Sequence, residues 1–119
     1  MSTKILVVED NDLAREGLSL TLRKEGYDVV PAHHGQEAMD YLEAGSTPDL
    51  ILLDMLMPVL EGWHFLQRSP HPSAPIIITT ATILSREWAD THGCAGFLRK
   101  PIASEDLLTE VHRCLATGA

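Results

Sequence analysis

The sequence predicts an α/β protein with a parallel β-sheet covered by helices on both faces. Short apolar runs alternate with stretches of helical spacing, and the connections between them are short. The central run, Leu50–Leu53, is aliphatic throughout, which is typical of a strand buried on both faces. Parallel strands joined by helices end at the same edge of their sheet, where ligand sites of such folds form.

Strands are predicted where apolar and β-branched residues cluster. The five predicted strands are Ile5–Val8, Tyr27–Ala32, Leu50–Leu53 with its end at Asp54, Ile76–Ile78 and Ala95–Arg99. The second strand contains Pro31, which cannot donate a hydrogen bond to a neighbouring strand. We therefore expect this strand at an edge of the sheet.

Helices are predicted between the strands from apolar spacing and capping residues. The first is capped by Asn11 or Asp12 and ends at Gly26, and its predicted inward face carries Leu13, Gly17, Leu18, Thr21 and Leu22. The next three are Gln36–Ala44, Trp63–Gln67 and Leu84–His92. Ser104 is expected to cap the fifth helix, whose apolar positions are Leu107, Leu108, Val111 and Leu115.

Composition narrows the class of protein. The length of 119 residues fits one domain over residues 1–119, and a net charge of −8 argues against binding a phosphate backbone. No apolar run approaches the roughly 18 residues of a membrane span. The start, Met1–Lys4, lacks the layout of a signal peptide, so we expect a cytoplasmic protein. Cys94 and Cys114 lie in no metal-binding spacing and are expected to be buried thiols.

Polar side chains stand at the carboxyl ends of four predicted strands. They are Glu9, Asp10, Asp54, Thr80 and Lys100. Two ionised carboxylates about 5 Å apart, at an effective dielectric constant near 20, repel each other by about 3 kcal/mol. A hard divalent cation such as Mg²⁺ would relieve this repulsion.

A cation held there leaves positions for phosphate oxygens. Lys100 and the Thr80 hydroxyl can bind those oxygens by charge and hydrogen bonding. Asp54 would then be placed to attack phosphorus and form an acyl phosphate.

The residues at these strand ends match the pattern of a known protein family. The matching positions are Ile5–Asp10, Asp54–Pro58, Gly62, Thr80 with Ala81, and Lys100 with Pro101. The sequence resembles the receiver domain of two-component response regulators, in the CheY-like superfamily, over essentially its whole length. The resemblance implies a flavodoxin-like sheet in the order 2-1-3-4-5. It implies that Asp54 is phosphorylated from a histidine of a sensor kinase or a phosphotransfer protein.

The resemblance also assigns the other site residues. Mg²⁺ would bind Glu9, Asp10, Asp54 and the backbone carbonyl of Leu56. Thr80 and Lys100 would contact the phosphate, Phe97 would swing inward on activation, and Pro101 would follow a cis peptide bond. Side chains at Leu56 and Thr82 would tune the rate of dephosphorylation. Because Leu56 offers no hydrogen bond to water, we expect slow self-dephosphorylation.

The resemblance further implies a partner surface made by the fourth predicted helix, the fifth strand and the fifth helix. This surface, the Trp88–Phe97 face, would bind a downstream protein and change with phosphorylation. No nucleic acid or membrane partner is expected for this domain, and no enzyme activity beyond self-catalysed phosphoryl transfer and dephosphorylation.

Other functions are consistent with parts of the pattern. A degenerate receiver would act only as a protein-interaction module, but the site residues are intact. A phosphatase of the haloacid-dehalogenase type would need a second aspartate two residues after its nucleophile, where this chain has Leu56. A flavodoxin-like cofactor site would need a phosphate-binding loop after the first strand, and the acidic run Glu9–Asp12 would repel phosphate.

Overall fold

The sheet of the computed structural model has five parallel strands. The structure describes residues 3–55, 74–81 and 84–117. The strands are β1 (Lys4–Val8), β2 (Asp28–Ala32), β3 (Leu50–Asp54), β4 (Ile76–Thr80) and β5 (Gly96–Arg99). They lie in the order β2-β1-β3-β4-β5, with β2 at one edge as its proline predicts. The predicted fold class and strand order are confirmed.

The described helices are α1 (Asp12–Lys24), α2 (Gly35–Glu43), α3 (Arg86–Thr91) and α4 (Ser104–Thr117). The helix predicted over Trp63–Gln67 lies outside the described residues. Asn11 caps α1, and its side-chain oxygen accepts a hydrogen bond of 2.8 Å from the Ala14 N–H. After α1 the chain turns at Gly26, whose φ of 99° favours glycine. None of the described helices is long and apolar enough to cross a membrane.

Three of the described helices begin at different residues from those predicted. Helix α2 starts at Gly35 rather than Gln36. Helix α3 starts at Arg86 rather than Leu84 because Ser85 is extended and its hydroxyl accepts the Trp88 N–H at 3.1 Å. Helix α4 starts at Ser104 itself, because the carbonyl of Ala103 accepts the first helical hydrogen bond, from the Leu107 N–H at 3.0 Å. Ser104 is therefore the first residue of the helix and not the residue before it.

The core has two layers, because alternate residues of a strand face opposite sides of the sheet. Ile5 and Val7 pack on the side covered by α1 and α4, in a cluster that includes Leu22, Leu98, Leu107 and Val111. Leu6 and Val8 pack on the side covered by α2 and α3, in a cluster that includes Ala38, Leu42, Ala89 and Phe97. The sheet is therefore covered on both faces, and its strand ends stay free for a site.

The predicted inward face of α1 is wrong at Leu13 and Gly17. Leu13 is 82% exposed, and Gly17 is exposed as well. Leu22 is buried and Leu18 is partly buried, as predicted. At 100° per residue, Leu13 and Gly17 fall with Leu20 on the outer side of the helix.

The buried stripe of α4 is also rotated from the predicted one. Leu107 and Val111 are buried, but Leu108 and Leu115 are only partly buried. Cys114 and Glu110 complete the inner face instead. Cys94 and Cys114 are free buried thiols, as predicted. Burial, together with the nearby Asp90 carboxylate, raises the pKa of Cys94 to about 11.

Candidate functional site

Three carboxylates meet at the carboxyl end of the sheet. Because β1 and β3 are neighbours, Glu9 and Asp10 after β1 lie beside Asp54, the last residue of β3. One oxygen from each residue lies within 4.8 Å of the others. Glu9 is 1% exposed, whereas Asp10 is open to solvent. These residues form the acidic cluster that the sequence predicts.

Lys100, the residue after β5, brings a positive charge to this cluster. Its Nζ donates a hydrogen bond of 2.9 Å to Glu9 Oε1 and lies 3.1 Å from Asp54 Oδ1. The Lys100 side chain extends past β4 to reach these carboxylates. Its backbone N–H donates a hydrogen bond of 2.8 Å to the carbonyl of Thr80, at the end of β4. The Lys100–Pro101 peptide bond, for which the resemblance implies the cis form, is cis.

The neighbouring backbone fixes Glu9 in its buried position. Its Oε2 accepts the Asn11 N–H at 3.1 Å, and its backbone carbonyl accepts Arg15 Nη1 at 2.9 Å. The Glu9 N–H donates to the Ala32 carbonyl at 3.0 Å. The Asn11 N–H and Lys100 thus hold the Glu9 carboxylate beside Asp54.

The surroundings of Asp54 disfavour its charged form. Burial and then the charge of Glu9 raise its pKa from 3.8 to about 7, although the Lys100 ammonium works in the opposite direction. Its Oδ1 is buried and has no hydrogen-bond partner of acceptable geometry, even with Lys100 at ion-pair distance. Burial lowers the pKa of Lys100, but its bond to Glu9 and the charge of Asp54 outweigh that effect, and the pKa is raised overall.

The donor set fits a small divalent cation. When all three carboxylates are ionised, Lys100 offsets one negative charge and two are left. All the ligand atoms offered are carboxylate oxygens, which Mg²⁺ prefers. The buried Oδ1 of Asp54, without a hydrogen bond, is the kind of atom that a cation would satisfy.

The other predicted site residues lie on the same strands or outside the described chain. Thr80 is fully buried at the end of β4, between the strands that carry Asp54 and Lys100. Phe97 lies on β5 in the core layer of α2 and α3, and the guanidinium carbon of Arg99 stands 5.2 Å from its ring centre. Leu56 and Thr82 lie outside the described residues.

Sequence reasoning missed a second charged group, which lies around Phe97. Glu110 of α4 is 7% exposed, and its Oε2 accepts the Phe97 N–H at 2.8 Å. Arg86 and Arg113 lie 3.2 Å and 2.9 Å from that oxygen. Glu110 approaches so closely because Gly96, the residue before Phe97, has no side chain.

Two signals in the sequence point to this group. Glu110 stands three residues after Leu107 and so falls on the apolar stripe of its helix. Gly96 is a glycine inside a strand, which often marks a close approach of another group.

The chain resembles several known proteins. A family described as the response regulator receiver domain matches residues 5–112. The response regulator MprA of Mycobacterium bovis is 38% identical over 119 residues, covering 97% of this chain and 51% of that protein. MprA of Mycobacterium tuberculosis is 37% identical with the same coverage. The chain thus spans about half the length of the curated relatives it matches.

Solved structures agree with these matches. A CheY-like response regulator receiver domain protein from Methanospirillum hungatei superposes with a TM-score of 0.87 at 26% identity, covering 99% of this chain and 97% of that one. The chemotaxis protein CheY4 of Vibrio cholerae superposes with a TM-score of 0.82 at 32% identity, covering 95% of this chain and 98% of that one.

Proposed function

We propose that this chain, which belongs to the response regulator receiver domain family, is a phosphorylated switch with Asp54 as the phosphoacceptor. Membership in the family confirms the resemblance drawn from the sequence. The observation that carries the proposal is the buried Oδ1 of Asp54, a member of the acidic cluster, which has no hydrogen bond and lies 3.1 Å from Lys100 Nζ.

The phosphoryl donor in this proposal is a phosphohistidine of a sensor kinase or phosphotransfer protein. A carboxylate oxygen of Asp54 attacks phosphorus, and the phosphorus–nitrogen bond breaks with its electron pair leaving on the imidazole. Lys100 and the Thr80 hydroxyl bind the oxygens of the transferred group. Asp54 attacks only as the carboxylate, so lowering its pKa from about 7 favours the reaction at neutral pH.

Mg²⁺ is the proposed cofactor. Glu9, Asp10 and Asp54 would hold it through their carboxylates, together with the Leu56 carbonyl. When bound, it supplies positive charge that holds Asp54 ionised and neutralises the charge of the phosphoryl group. Lys100, whose Nζ lies 3.1 Å from Asp54 Oδ1, would bind an oxygen of the phosphoryl group.

The proposed output is a change at the Trp88–Phe97 face, where a downstream protein would bind. In the same proposal residues 1–119 form one receiver, located in the cytoplasm. Its only chemistry is self-catalysed phosphoryl transfer and slow self-dephosphorylation. The matching relatives are about twice as long, so an output activity in a further part of the protein is compatible with this role.

Uptake of phosphate from a small donor tests the proposal. The protein is incubated with acetyl phosphate and Mg²⁺, its intact mass is measured, and fragment masses locate the modification. We expect one added phosphate, located on Asp54, and none when the metal is chelated. No uptake by the folded, Mg²⁺-bound protein would favour an interaction module instead. Steady release of inorganic phosphate at enzymatic turnover would favour an aspartyl phosphatase.

The lifetime of the phosphate is a separate prediction. Because Leu56 cannot hydrogen-bond an attacking water, we expect the isolated phosphoprotein to persist for many minutes or longer. Leu56→Asn, which supplies an amide for that water, is expected to shorten the lifetime more than the control Leu56→Ala does. The decay is followed by intact mass after the donor is removed, with Thr82→Ala measured alongside. A signal that vanished within seconds in the unaltered protein would contradict the role given to Leu56.

A further inference from the structure

Charged side chains occupy the outer edge of β5, the last strand of the described sheet. The backbone of Phe97 points outward there, away from β4. Its N–H donates to Glu110 Oε2 at 2.8 Å, and its carbonyl accepts Arg86 Nη2 at 3.2 Å. Both polar groups of this residue are therefore held by side chains from α3 and α4.

Arg86 and Glu110 also bind each other. Arg86 Nη2 lies 3.2 Å from Glu110 Oε2, so one ion pair joins α3 to α4 across the strand. The Glu110 side chain is 9% exposed, whereas that of Arg86 is 52% exposed. Glu110 is thus the buried half of the pair, and Arg86 is the half that solvent reaches.

The same strand reaches the candidate site. Lys100 comes three residues after Phe97 and lies beside both Asp54 and Glu9. A phosphoryl group on Asp54 adds negative charge next to Lys100 and attracts its ammonium. A shift of Lys100 moves the end of β5, and the hydrogen bonds of Phe97 resist that shift because they hold the strand to two helices.

We propose that Arg86 and Glu110 form a clamp on the backbone of Phe97 which holds β5 in the resting position and opposes the phosphorylated form. The inference rests on the proposed function of Asp54 and adds a regulatory element to it. Arg86 and Glu110 are positioning residues, since they act through the strand and touch no phosphate.

The clamp and the binding of a phosphate analogue are thermodynamically linked, so the clamp changes the affinity for the analogue. A contact made in the resting form and lost in the phosphorylated form lowers the affinity for phosphate and its analogues. Removing that contact therefore raises the affinity, whereas a general loss of packing does not.

The test measures the affinity of the protein for beryllofluoride, a phosphate analogue, by titration calorimetry at saturating Mg²⁺. Arg86→Ala is expected to bind it about five-fold more tightly than the unaltered protein, in the range of ordinary allosteric coupling. Affinity for Mg²⁺ alone is expected to stay unchanged. Arg86→Lys, which keeps the charge opposite Glu110, is expected to show a smaller increase.

Arg113→Ala is the matched control. Arg113 also pairs with Glu110, but it lies on α4 itself and donates to the Ala95 carbonyl, not to Phe97. We expect its affinity for beryllofluoride to stay within about two-fold of the unaltered protein. Equal or weaker binding by Arg86→Ala, or an equal gain in Arg113→Ala, would overturn the clamp. Failure of the unaltered protein to bind beryllofluoride would instead overturn the phosphoacceptor role and the clamp with it.

Discussion

Asp54→Asn is expected to abolish phosphate uptake and also to stabilise the metal-free protein by about 1–3 kcal/mol at pH 8. The Asp54 side chain is 4% exposed and faces the buried Glu9 carboxylate, so its charge opposes folding. An amide has nearly the same shape and carries no charge. The residue proposed to accept the phosphoryl group is thus expected to lower stability when no cation is present.

The raised pKa of Asp54 determines whether the free energy of unfolding rises or falls with pH. In the folded protein the pKa of Asp54 is raised from 3.8 to about 7. Between these values the folded state holds a proton that the unfolded state has released, so the free energy of unfolding falls as pH rises. The cost is fully present above about pH 7. The advantage of Asp54→Asn is therefore expected to be small near pH 4 and to level off above pH 7.

Urea unfolding of both proteins with a metal chelator, over this range of pH, measures the difference. Asp28→Asn is the control, because Asp28 is an exposed aspartate at the sheet edge, and we expect a change within about 0.5 kcal/mol. Mg²⁺ should stabilise the unaltered protein more than Asp54→Asn and so reduce the gap between them. An Asp54→Asn protein that is less stable than the original at pH 8 without metal would contradict the prediction.

The strands and their acidic ends were predictable because both signals are local. A short aliphatic run such as Leu50–Leu53 has few alternatives to a buried strand, and Asp54 follows it directly. Once the strands are parallel, chain topology alone brings Glu9, Asp54 and Lys100 to one edge. The reach of Lys100 to Glu9, across 91 positions of sequence, depends on side-chain packing that no local pattern encodes.

The side of α1 that packs against the sheet could not be predicted in the same way. This helix carries leucines on more than one side, so the sequence offers two apolar stripes. One contains Leu13 and Leu20, and the other contains Leu18 and Leu22. Packing against the sheet selects the second, and Leu20 is left 55% exposed.

The burial of Glu110 was missed for a related reason. A glutamate on a helix is usually solvated, and its burial is tolerated only with charged or hydrogen-bonding partners. Those partners, Arg86 and the Phe97 N–H, lie 24 and 13 residues away along the chain. Burial raises the pKa of Glu110, but hydrogen bonds from Arg113 and Phe97 and the charge of Arg86 together outweigh it, and the pKa is lowered overall.

Gly96→Ala is expected to lower the free energy of unfolding by about 2–3 kcal/mol. A Cβ on Gly96 would lie 2.7 Å from Glu110 Oε2 and 2.9 Å from both Cys114 Sγ and Ile77 Cγ1. Cys114 and Ile77 are fully buried, and Glu110 is held by the Phe97 N–H. The methyl group therefore displaces the Glu110 carboxylate from its hydrogen bond or strains the core.

Gly17→Ala is the matched control for that substitution. Gly17 lies within α1, and a Cβ there would meet nothing within 4 Å. Alanine favours the helix, so we expect the free energy of unfolding to rise by about 0.5–1 kcal/mol. Both variants are compared with the unaltered protein by urea unfolding. A Gly96→Ala protein as stable as the original would contradict the packing of Glu110 against β5.

The source of the loss can be separated by combining Gly96→Ala with Glu110→Ala. If the carboxylate is the main obstacle to the new methyl group, the double variant loses less stability than the sum of the two single variants. Additive losses would assign the strain to Cys114 and Ile77 instead. A sub-additive loss would mean that the missing side chain at position 96 is what lets a buried glutamate hold Phe97, three residues before the lysine that contacts Asp54.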